Sequence, residues 1–199
     1  MKRPFLVLVA SAAMFAAVPY SHATVFVFHA NLIGANEVPP SGSPGTGNAN
    51  VTLDTAAQTL RVQIAFAGLL SPTTASHIHC CLPSPFATGV NVGVATTVPT
   101  FAGFPLGVTS GTFDSTLDLT SASTYNPAFV TAQGGTVGGA EATLIAGIVA
   151  GDTYLNIHTT QFPGGEIRGF LAPIPEPATM ALMGLGLLSA GVARRRRRA

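Results

Sequence analysis

Charge is what this chain has least of. Only 9% of its 199 residues are Asp, Glu, Lys or Arg, against about 25% in an ordinary soluble domain. That scarcity excludes helical bundles and coiled coils, which are built from charged helix formers. Of the nine cations, Lys2, Arg3 and the run Arg194 to Arg198 sit at the ends, leaving Arg61 and Arg168. Those two face Glu37, Asp54, Asp114, Asp118, Glu141, Asp152 and Glu166, a balance of −5. No cluster of Lys and Arg is left to meet nucleic-acid phosphates. Tryptophan is absent, and the two cysteines are adjacent, too few for the disulfide framework of a small secreted domain. Catalytic signatures are missing as well. There is no G-x-S-x-G, no HExxH and no P-loop, and the scattered acids offer no glycosidase pair. The chain is read as non-enzymatic. At 47% hydrophobic it is too apolar for disorder.

The ends read as addresses. Lys2 and Arg3 precede an apolar run from Phe5 to Val18, then Pro19 and Ser21-His22-Ala23. This is the pattern of a secretory signal cut after Ala23 by signal peptidase. At the other end Pro175-Glu176-Pro177 precedes an uncharged stretch, Ala178 to Val192, and the Arg run. The stretch is close to the minimum of about 17 residues for a transmembrane helix, and the arginines would hold its end in the cytoplasm. The expected organisation is a signal peptide over 1–23, one domain over 24–173 and a tail over 174–199.

The middle alternates with a period of two. Phe26, Phe28, Ala30 and Leu32 point one way; Leu60, Val62, Ile64 and Phe66 do the same after a polar turn at Thr55 to Gln58. Asn48–Asp54, Ser76–His79, Val90–Ala95, Gly111–Leu119, Thr153–His158 and Glu166–Leu171 complete the expected strands. Pro163-Gly164 marks a hairpin between the last two. Gly139–Ala150 has helical spacing and ends before Gly151. The expected fold is all-β: an antiparallel sandwich or barrel-like Greek key with one short helix.

His77 and His79 project from one strand face roughly 7 Å apart, a spacing that suits two imidazoles on one copper or zinc ion. Tyr154, Asn156 and His158 share a face on one arm of the late hairpin, and Glu166 and Arg168 share a face on the other. His158 could thus complete a three-histidine site, with Glu37 or the Cys80 thiol as fourth ligand. The alternative is that all three are structural histidines, hydrogen-bonded beside a buried Glu166–Arg168 network. His29 is expected to be half-exposed. Cys80 and Cys81 have Cα atoms about 3.8 Å apart across a trans peptide, below the usual range of roughly 4.4–6.8 Å. A vicinal disulfide, metal thiolates and intermolecular bridges remain open for them.

Phe28-x-Ala30-x-Leu32, Gly34-x-Asn36-Glu37-Val38-Pro39-Pro40, Leu53-Asp54 and Ala75-Ser76-His77-Ile78-His79 resemble, in that order, the CHRD (chordin-type) domain. Tyr154-Leu155-Asn156-Ile157-His158-Thr159 and Phe162-Pro163-Gly164-Gly165-Glu166-Ile167-Arg168-Gly169 extend the resemblance to the end of the domain. It implies an exported β module in which Asn36, Glu37, Asn156, Glu166 and Arg168 are motif residues, and it names no substrate. Pro175-Glu176-Pro177 with the apolar stretch and Arg cluster resembles a PEP-CTERM sorting tail. That resemblance implies an exosortase-type processing enzyme as partner and a Gram-negative surface or biofilm matrix as destination, with matrix polysaccharide or other surface proteins as neighbours. A plain C-terminal membrane anchor is the alternative. The His-x-His strand is also similar to that of Cu/Zn superoxide dismutase, but no further His-rich loop exists to build a second metal site.

Overall fold

Period-two alternation decides which side of each strand meets the core. The computed structural model describes residues 25–83 and 88–174. The expected signal peptide, transmembrane stretch and Pro175-Glu176-Pro177 lie outside the described residues. Among the described residues there are eight strands: β1 (Val25–Ile33), β2 (Thr46–Asp54), β3 (Thr59–Ala67), β4 (Thr73–Cys80), β5 (Gly111–Asp118), β6 (Thr153–Thr159), β7 (Ile167–Phe170) and β8 (Ala172–Pro173). They form one antiparallel sheet in the order β4-β6-β7-β1-β2-β3-β5, with β8 beside β1. The sheet curls into a half-barrel, so the barrel-like expectation describes it better than the sandwich.

The inner face is apolar. Phe28, Ala30 and Leu32 from β1, Val51 and Leu53 from β2, and Leu60, Val62 and Ile64 from β3 are buried there, as are Ile78, Leu155 and Ile157. Each such large side chain contributes about 1.5–3 kcal/mol by leaving water. The β2–β3 hairpin closes in register, Val51 opposite Val62 and Asp54 opposite Thr59. Asp54 Oδ1 accepts from the N–H groups of Ala56 and Ala57, at 3.0 and 2.9 Å, and holds the turn.

Helix α1 (Pro127–Ala132) is a short turn, whereas α2 (Val137–Ala150) is the one helix of real length among the described residues. Thr136 caps α2 by accepting from Gly139 N–H at 3.1 Å, and Gly151 ends it with φ of 80°, the left-handed conformation glycine tolerates. Its buried stripe, Ala140, Leu144, Gly147 and Ile148, closes the open side of the core. Val90–Ala95, expected as a strand, is irregular; it meets β4 through a bridge between Val94 and His79 and through hydrogen bonds from Cys80 N–H to Gly93 O at 3.2 Å and from Ala95 N–H to Ile78 O at 2.9 Å. Its valines alternate, but Val90 O and Val92 O accept from Arg168 and His79 on the sheet's outer face instead of continuing a ladder. The following loop sends Phe101 and Phe104 into the core.

Candidate metal centre

Three strands build the centre on the outer face of the sheet. In β4 and β6, His77 lies opposite Asn156, His79 opposite Tyr154 and Ala75 opposite His158; Asn156 is in turn opposite Arg168 of β7. Because side chains at i and i+2 share a face, this register sets Asn156 among His77, His158 and Arg168, with His79 on the diagonal. An outer face would ordinarily be wet. Here the segments around Val38, Val92, Pro99 and Pro163 lie over it, and every residue of β6 is buried.

The three histidines come together. Each offers one ring nitrogen, and these atoms lie within 4.8 Å of one another. His77 Nδ1 is 3.2 Å from His79 Nε2. The opposite side of each ring meets a main-chain carbonyl. His79 Nδ1 donates to Val92 O at 2.7 Å and His158 Nδ1 to Pro163 O at 2.9 Å. His77 hydrogen-bonds the backbone of Pro99, which has no N–H and can only accept. A carbonyl on one ring nitrogen fixes the tautomer and leaves the other nitrogen's lone pair free, the arrangement that orients metal-binding histidines. The donor set is compatible with copper or zinc.

Burial holds the rings neutral. It pulls His77 down to about 3, with His158 and His79 adding to the effect. It pulls His79 down to about 4, against the opposing hydrogen bond to Val92. His158 is lowered as well, again chiefly by burial, with Pro163 opposing and Arg168 reinforcing. Neutral imidazoles are the form that ligates metal.

Around the histidines runs a buried polar chain. Arg168 Nη2 is 2.8 Å from Glu37 Oε2, with both side chains almost wholly inaccessible. Arg168 also donates to Val90 O at 3.3 Å and to Asn91 Oδ1. Its guanidinium lies 4.0 Å above the Tyr154 ring, which stacks on His79 at 4.5 Å between ring centres. Burial raises the Glu37 carboxyl above its ordinary range, and Arg168 opposes the rise. Asn36 Nδ2 donates to Arg168 O at 3.1 Å and fastens β7 to the turn that follows β1.

Three expectations change. Arg168 pairs with Glu37, not with Glu166. Glu166 and Ile167 both lie opposite Ile157, since Glu166 N–H reaches Ile157 O at 2.7 Å while Ile157 pairs with Ile167. This bulge turns Glu166 away from Arg168, where its carboxylate accepts from Ser43 Oγ, Leu70 N–H and Thr159 Oγ1, each at 2.6 Å. Glu37, engaged by Arg168, is not a fourth ligand. Nor is Cys80, which lies on the inner face and is bonded to Cys81. Of the readings open for the cysteine pair, the structure has the vicinal disulfide. It packs on α2 at Gly147, where a Cβ would come within 2.6 and 2.7 Å of the two sulfurs. His29 is half-buried on β1, two strands along the sheet from β6, and does not join the trio.

Sequence reasoning missed the carbonyls of Val92, Pro99 and Pro163 and the role of Asn91. Main-chain contacts leave no residue signature, but the Asn156-x-His158 spacing already put that amide on the histidine face.

A curled antiparallel sheet that buries polar side chains under loops on its outer face defines an all-β module with a built site. The model of the CHRD domain matches residues 28–171, and the chain belongs to that family. The PEP-CTERM protein-sorting motif matches residues 173–198; it indicates processing by exosortase, a membrane protease, and export to the cell surface of a Gram-negative bacterium with a membrane anchor. Neither family is enzymatic. No curated protein and no solved structure matches the chain.

Proposed function

We propose that the protein is a non-enzymatic surface module that holds one copper or zinc ion on His77, His79 and His158. The observation that supports this reading is the convergence of three ring nitrogens within 4.8 Å, with His79 and His158 each tied by Nδ1 to a main-chain carbonyl. Histidines buried only for structure have no need to aim their free lone pairs at one point. The full chain, purified in mild detergent and equilibrated with Cu²⁺ or Zn²⁺, should carry one equivalent by elemental analysis and lose it on His77→Ala. Absence of stoichiometric metal from the folded wild type would remove the reading.

The module's place is the cell surface and the matrix beyond it. The outer face of β1, β2, β3 and β5 supports this with exposed Asn31, Asn48, Asn50 and Thr112 and the half-buried Gln63. Arg61 and Asp114 pair with each other there at 2.6 Å, so the face offers hydrogen bonds with little net charge. That chemistry suits neutral matrix polysaccharide. A deletion strain should show altered adhesion and matrix architecture; unchanged behaviour in both would count against the matrix role.

A further inference from the structure

Three histidines leave a tetrahedral ion one donor short, and the register puts an oxygen in that position. Asn156 Oδ1 lies 3.0 Å from His158 Nε2, and the same side chain faces His77 and His79. His158 already commits its Nδ1 proton to Pro163 O at 2.9 Å. A neutral ring has one N–H only, so Nε2 and Oδ1 confront each other as two acceptors. Two lone pairs at that separation, buried, are unfavourable without a positive centre between them. A tetrahedral ion with bonds of about 2.0–2.1 Å sets its donor atoms roughly 3.3 Å apart. The 3.0 Å from Oδ1 to His158 and the 3.2 Å between His77 and His79 are close to that spacing.

The amide cannot simply turn round. Its Nδ2 is on the side of Glu37, where it and Glu37 Oε1 crowd the same face of Gly165. Glu37 Oε1 is buried without a hydrogen bond of its own; the Asn156 amide and the Val38 N–H both act on this carboxylate, and Arg168 holds the other oxygen at 2.8 Å. A reversed amide would set oxygen against oxygen at Glu37. The ion pair therefore selects which end of Asn156 meets the histidines.

Resting on the metal reading above, we propose that the Asn156 amide oxygen is the fourth ligand, making a closed N₃O site whose orientation Glu37 fixes. A closed site has no coordination position for substrate, in keeping with holding an ion rather than turning over a reactant.

The test uses the full chain loaded with Co²⁺ alone, its visible spectrum recorded with and without azide. The wild-type spectrum should not respond to azide. Asn156→Leu should weaken Co²⁺ binding by at least the roughly 10- to 100-fold typical of outer-shell changes and gain an azide response, and Asn156→Asp, which keeps an oxygen donor, should lose that response again. A wild-type spectrum that shifts with azide, or an Asn156→Leu protein with unchanged affinity and spectrum, would overturn the fourth ligand and leave the three histidines standing. A folded wild type that takes up no ion would overturn the metal reading itself. Should Asn156→Leu not fold, the azide response of the wild type and of Asn156→Asp still decides.

Discussion

His29-x-Asn31 and Asn156-x-His158 carry the same two side chains at the same spacing on strands of one sheet. In both, imidazole and amide meet at 3.0 Å, and in both the cross-strand neighbour is polar: Asn50 opposite His29, His77 opposite Asn156. One half of the sheet is left open, and half-buried His29 there spends both ring nitrogens on the Asn50 and Asn31 amides. The other half lies under loops, so its imidazoles are neutral and their lone pairs have no water to meet. Strand geometry brings polar groups together on both halves. Only the covering segments turn a surface patch into a site.

The two arginines sharpen the same contrast, and the largest expected effect lies there. Arg168→Met leaves Glu37 charged and buried, and should cost about 3–5 kcal/mol in denaturant unfolding. Arg61→Ala on the open half, where the pair is half-exposed, should leave the midpoint unmoved. Equal losses would break the comparison. Next in size, His158→Ala should lower Zn²⁺ affinity more than 100-fold, beyond the 10–100-fold typical of outer-shell changes, while His29→Ala leaves it unchanged in calorimetric titration.

Acid should act on the covered half. Below the ordinary histidine value of about 6.5 the unfolded chain takes up protons that the folded site refuses, because His77 and His79 are held at about 3 and 4. Stability of the metal-free protein is therefore complete above about pH 6.5 and falls as pH drops toward 3. The slope is up to about 1.4 kcal/mol per pH unit for each histidine. Replacing His77 should flatten that slope in a series of urea midpoints. The smallest effect belongs to Gly165, whose φ is 127° and whose Cβ would overlap Glu37 Oε1. Gly165→Ala should cost more than about 1 kcal/mol and weaken metal binding, whereas Gly164→Ala, with open space around it, should leave binding as it is.

What was legible in the sequence follows period two. Alternation placed β1 to β7, and it set His77 with His79 and Asn156 with His158 on shared faces. Helix punctuation placed α2 within two residues of its start, Val137 rather than Gly139. Three features stayed hidden. The register that sets His77 opposite Asn156 depends on pairing between distant strands, β4 with β6. The bulge at Glu166 inserts one residue and reverses its side chain, so a carboxylate read as the partner of Arg168 serves Ser43 and Thr159 instead. Val90–Ala95 has a strand's alternation, yet the carbonyls of Val90 and Val92 accept from Arg168, His79 and Tyr154. Nothing in residue type records such main-chain contacts.

X-ray absorption on the full chain loaded with one equivalent of Zn²⁺ bears most directly on the centre. The account predicts three imidazole nitrogens at about 2.0–2.1 Å, a count that falls on His79→Ala and is untouched by His29→Ala. Zinc held with fewer than three imidazoles, or a spectrum indifferent to His79, would contradict it.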